Sequence, residues 1–109
     1  MTLHGEPLGR LLAKAETLSW DSTMYVVGAA PWGLDSLACT YLDPDGDEPD
    51  EVVLSTGDIA KRVLQTDQVQ QIVENLREQV SPASEENLVE ALNFYYARDA
   101  FIDWLKRGG

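Results

Sequence analysis

The stretch "TDQVQQIVENLREQV" limits what this chain can fold into more than any other. Val69, Ile72, Val73, Leu76 and Val80 recur every three or four residues, the spacing of one face of an α-helix. Such a stripe is stable only against a second apolar surface, so the helix must pack on something. Thr66 or Asp67 is placed to cap its start, and Pro82 comes just after its end.

Other segments supply that surface. "PLGRLLAKAETLSW" sets Leu8, Leu11, Leu12, Ala15 and Leu18 at helical spacing behind Pro7, which predicts a helix over 7–18. "TMYVVG" reads as a strand ending at Gly28, and "AAPWGLDS" as a turn-rich loop. "LACTYL" reads as a central strand, with Leu37, Cys39 and Tyr41 on one face and Ala38, Thr40 and Leu42 on the other. "EVVLS" suits a third, short strand, after which the sheet is expected to end. "GDIAKRVL" then reads as a short helix.

The final helix, "SEENLVEALNFYYARDAFIDWLKR", is expected to run from a Ser84 cap towards Lys106 and Arg107. Its acids come first and its bases last, as the helix dipole favours. Leu88, Leu92, Tyr95, Tyr96 and Ile102, widened by Phe94, Phe101, Trp104 and Leu105, make it apolar over most of its circumference. Such a helix is either buried among other elements or offers one side to a partner; the core placement is favoured and predicts a buried, hydrogen-bonded Asp99. A chain of 109 residues suits one domain. The expected fold is therefore α+β: an N-terminal helix, a small antiparallel sheet of two or three strands within 24–54, and two long C-terminal helices packed on it within 57–106.

The charge is uneven. Nineteen Asp and Glu outweigh eight Lys and Arg, for a formal net charge of -11. Six of the acids, Asp43, Asp45, Asp47, Glu48, Asp50 and Glu51, crowd into "LDPDGDEPDEV" with no base among them. Such a surface repels nucleic acid and anionic membrane and attracts basic proteins. The run starts like a calcium loop, with Asp43, Asp45 and Asp47 at the first, third and fifth positions. The sixth and twelfth positions, which need Gly and Glu, hold Glu48 and Leu54. One His and one Cys, His4 and Cys39, make no zinc site and no paired nucleophile. The reading is a protein without metal, cofactor or catalytic residues. The N-terminus has no signal-peptide core and no segment suits a membrane span, so the expected location is the cytoplasm. Trp32 and Asp35 of "APWGLDS" join the six acids as candidate partner-binding residues, because charge alone gives little specificity and Trp anchors many interfaces.

"APWGLDSLACTYLDPDGDEPDEV", "QIVENLREQ" and "LVEALNFYYARDAFIDWL" together resemble a family of small acidic bacterial proteins. These are similar to the immunity proteins of toxin–immunity pairs, including those of contact-dependent growth inhibition. The resemblance implies a cytoplasmic binder that neutralises one cognate toxin domain, commonly a nuclease with a basic cleft. The alternative is an adaptor or nucleic-acid mimic that binds a basic host protein. Asn75 and Gln79 match the pattern too, with packing or capping equally open as their role.

Overall fold

In the computed structural model, residues 3–101 and 103 are described. Five strands form one antiparallel sheet: β1 (Glu6–Pro7), β2 (Thr23–Val27), β3 (Leu37–Tyr41), β4 (Glu51–Val53) and β5 (Ile59–Gln65), in the order β1-β3-β2-β5-β4. The expected sheet of two or three strands is therefore wrong. The error lies mainly at "GDIAKRVL", which is not a helix but the long strand β5, paired along the whole of β2.

A β-bulge explains why that strand looks helical in sequence. The register of β2 with β5 shifts between Met24 and Tyr25, which pair with Leu64 and Arg62 and leave Val63 between them. Val63 and Leu64 consequently both pack towards the helices, while Ala60 lies on the opposite face. Apolar residues at 59, 60, 63 and 64 mimic helical spacing for this reason.

Helices α2 (Thr66–Gln79) and α3 (Glu85–Arg98) cover one face of the sheet, together with the short α1 (Leu8–Ala13). The stripe Val69, Ile72, Val73 and Leu76 is buried as its spacing requires, beside Met24, Val26, Leu88 and Leu92. Each such aliphatic side chain contributes roughly 1.5–3 kcal/mol of burial free energy. Ser84 caps α3: it accepts a hydrogen bond from Asn87 N–H, and the Asn87 side chain accepts one from Ser84 N–H, both 3.1 Å. At α2 the capping residue is Gln65 rather than Thr66 or Asp67; Thr66 is fully buried, its hydroxyl 2.7 Å from that of Ser22.

The N-terminal helix is much shorter than 7–18. Pro7 belongs to β1, and a 3₁₀ turn over Ala15–Thr17 follows α1. Side chains of α2 take the carbonyls that a longer helix would use itself. Gln70 donates to the carbonyls of Ala15 (3.1 Å) and Leu18 (2.9 Å), and Arg77 donates to that of Ala13 (2.8 Å). The last helix also stops early, at Arg98. Asp99 turns the chain in the left-handed region (φ 52°) and is exposed, which corrects its reading as a buried carboxylate. Ile102 and 104–107, the end of the helix expected from sequence, lie outside the described residues.

The other face of the sheet carries a second, smaller core of Tyr25, Cys39, Val52, Leu54 and Ala60, flanked by Leu3, Leu37 and Tyr41. The sheet curls over it. Leu3 pairs with Leu54 in a parallel bridge, and Ser55 N–H donates to the Leu3 carbonyl at 2.7 Å. The segment leading into β1 thus ties one edge of the sheet towards the other. Gly5 permits this crossing, since a Cβ there would meet Leu54 Cδ1 at 2.8 Å.

Candidate protein-binding surface at the acidic end of the sheet

The acidic run has an architectural cause. β3 and β4 are separated by β2 and β5, so the chain from Leu42 to Asp50 must cross the ends of both inner strands. It crosses at the end where Thr23 pairs with Tyr41 and Gln65. An Asx turn bends its first half: Asp43 Oδ1 accepts from Asp45 N–H at 2.7 Å, and Gly46 N–H bonds the Asp43 carbonyl at 3.0 Å. Gly46 takes φ 80°, which a side chain would strain.

The second half is pinned. Tyr25, whose ring is fully buried, donates its hydroxyl to the Pro49 carbonyl at 2.8 Å. Burial, and then the charge of Glu48, pushes this phenol above its ordinary pKa of 10.0. Arg62 of β5 reaches Asp50 Oδ1 at 3.1 Å and Glu48 Oε2 at 3.7 Å, and Gln65 donates to Glu48 Oε1 at 3.1 Å. The run has no base in sequence, but folding sets one beside its second half. Asp45 and Asp47 project from the exposed turn.

Asp21, in the turn just before β2, adds a further charge at this end. Asp21, Asp43, Asp47 and Glu48 together line a small hollow of about 60 Å³. Beside Asp21 stands Trp20, 69% exposed and the most exposed large apolar residue described, and Leu42 of the same hollow is also exposed. An exposed indole next to Asp21 is of the residue type that anchors many interfaces.

Trp32 and Asp35, the other residues expected here, lie elsewhere. They precede β3, whereas the acidic crossing follows it, and five extended residues separate the two ends by about 16 Å. Trp32 is only 7% exposed. Its backbone N–H and carbonyl are bracketed by the Asn93 side chain, both at 2.8 Å, its indole donates to the Gly28 carbonyl at 2.9 Å, and its ring meets Tyr96 edge-on at 4.8 Å. Asp35 is exposed in the loop that follows. Glu51 opens β4 with its side chain exposed. Trp32 is thus held in place by Asn93 and Gly28, whereas Trp20 is exposed beside Asp21.

Asn75 and Gln79 bond each other along α2 at 2.9 Å. Among the described residues no three His, Cys, Asp or Glu converge to hold a metal ion. Cys39 is buried in the smaller core, and burial pushes its thiol up to about 11, away from nucleophilic use. No helix among the described residues is long and apolar enough to cross a membrane.

These features define a small domain: a curled five-stranded antiparallel sheet, helices on one face, and an acidic crossing at one end. The chain belongs to the family described as domain of unknown function DUF7716, which it matches over residues 5–104. No curated protein and no solved structure matches it.

Proposed function

We propose that this protein is a cytoplasmic, non-catalytic immunity protein that binds and neutralises a cognate bacterial toxin domain, a nuclease with a basic face. The observation that carries the reading is the gathering of Asp21, Asp43, Asp47 and Glu48 with Leu42 in one hollow at an end of the sheet, with exposed Trp20 next in sequence to Asp21. The carboxylates supply long-range attraction, which raises association rates steeply at low salt. Trp20 supplies the apolar contact that charge lacks. Pinning of the crossing by Tyr25 and Arg62 lowers the ordering cost on binding.

The test is survival of cells expressing the C-terminal domain encoded immediately upstream, with and without this chain. Toxicity rescued by co-expression supports immunity. Toxicity without rescue overturns it and leaves an acidic adaptor for a basic host protein.

A further inference from the structure

Among the described residues the buried polar side chains are Ser22, Thr23 and Thr66. Ser22 and Thr66 satisfy each other, their hydroxyls 2.7 Å apart. Thr23 is only 3% exposed, yet no hydrogen bond engages its hydroxyl. A buried hydroxyl is ordinarily paired, because leaving it without a partner costs free energy. The alternation of β2 shows where this one points. Met24 and Val26 enter the helical core and Tyr25 the smaller one, so Thr23 shares the face of Tyr25. That face lies beneath the acidic crossing, where Tyr25 donates to the Pro49 carbonyl. No sealed side-chain polar atom described lacks a partner, so the Thr23 hydroxyl keeps an opening. The hollow that Thr23 lines is that opening.

The rest of the wall is charged. Asp21, Asp43, Asp47 and Glu48 line the same hollow. Glu48 has Arg62 at 3.7 Å, whereas no ion pair engages Asp21, Asp43 or Asp47. Carboxylates only accept hydrogen bonds, and a threonine hydroxyl accepts as well. The hollow therefore suits a donor that carries positive charge. Among the described residues no three acids converge to hold a metal ion. A volume of about 60 Å³ admits a head of only a few atoms. A guanidinium is a flat fork matched to one carboxylate side-on, whereas an ammonium is compact and splays three donors. Leu42, exposed in the same wall, suits the methylene stem behind such a head.

We infer that the hollow seats one primary ammonium, that of a lysine side chain on the partner protein. The Thr23 hydroxyl accepts one of its N–H groups, and the surrounding carboxylates take the others. Thr23 thereby selects lysine over arginine at a surface whose charge alone would attract both. The inference deepens the reading of the acidic end and rests on it only for the source of the lysine.

The probe is Nα-acetyl-lysine-N-methylamide, added to the full isotope-labelled chain while the NMR signals of Thr23 are followed. Its Nζ-trimethylated form keeps the charge but has no N–H to donate, and the arginine counterpart offers a guanidinium. The lysine probe is expected to shift the Thr23 signals saturably and to bind at least tenfold more tightly than either. Thr23→Val keeps the side-chain shape and should bind it at least fivefold more weakly, whereas Thr23→Ser should not. Since the hydroxyl has no partner within the fold, Thr23→Val should leave the urea midpoint unchanged or raised. No saturable shift, equal binding of the three probes, or a lowered midpoint with undiminished binding would each overturn the inference. Spermidine binding more than a hundredfold more tightly than the lysine probe would overturn the lysine assignment in favour of a free polyamine. If Thr23→Val does not fold, the lysine and trimethyl-lysine probes decide it. The toxin domain takes no part in these titrations, so the hollow can fail while the immunity reading stands, and the reverse.

Discussion

Replacing Tyr25 by Phe isolates the bond that holds the acidic crossing down. The ring is fully buried and meets Tyr41 edge-on at 6.5 Å, and phenylalanine preserves both features. What is lost is the 2.8 Å hydrogen bond to the Pro49 carbonyl. A net intramolecular hydrogen bond is worth about 1 kcal/mol, and since Pro49 is half-buried, water can replace part of it. Tyr25→Phe should therefore lower unfolding free energy by about 1 kcal/mol, or Tm by about 5 °C for a domain of this size. Urea and thermal unfolding measure both. The pH dependence gives an independent check. The folded protein holds the Tyr25 proton above the ordinary pKa of 10.0, at which the unfolded chain releases it. Wild-type stability falls as pH rises from 10 through the raised folded value, and the variant lacks that component, so their difference shrinks above pH 10. No loss of stability in the variant, or a pH-independent gap, would refute the reasoning.

Asn93→Ala removes both bonds to the Trp32 backbone and should cost about 2 kcal/mol by urea unfolding; a loss under about 0.5 kcal/mol would show that the Gly28–Gly33 loop does not depend on it. Glu16 is held below its usual 4.5, first by a backbone hydrogen bond and then by Arg77. Its stabilisation is present above 4.5 and lost as pH falls through the lower folded value, so Glu16→Gln should flatten that acid limb of the stability curve. Cys39, with its thiol raised to about 11, should resist aromatic disulfide reagents at pH 8 until denaturant is added. Complete labelling of the native protein within seconds would contradict its burial.

The sequence is most legible where one side chain pattern has one solution. The α2 stripe, the Ser84 cap and the alternation of Leu37, Cys39 and Tyr41 in β3 all read correctly, because local spacing alone decides them. β5 fails because a bulge, itself a product of pairing with β2, puts consecutive residues on one face. α1 ends early because Gln70 and Arg77, more than fifty residues away, take its carbonyls. The candidate surface divides in the same way. Its acids are visible as a run, but Arg62 beside them, Asp21 in the same hollow and the exposure of Trp20 appear only once the chain is folded. Trp32 attracted attention through its loop, and only Asn93, sixty-one residues on, shows that it is held in place.

The central claim is that the acidic end and Trp20 bind a basic partner. The most direct measurement is stopped-flow association with the upstream-encoded domain across a salt series. It compares wild type, Trp20→Ser, and a variant carrying Asp43→Asn, Asp45→Asn, Asp47→Asn and Glu48→Gln. The account predicts that neutralisation slows association at least tenfold at low salt and flattens its salt dependence. Trp20→Ser should leave stability within about 0.5 kcal/mol and raise the dissociation rate about thirtyfold, as loss of about 2 kcal/mol requires. Rates unchanged in both variants would contradict it and return the acidic run to a solvated crossover.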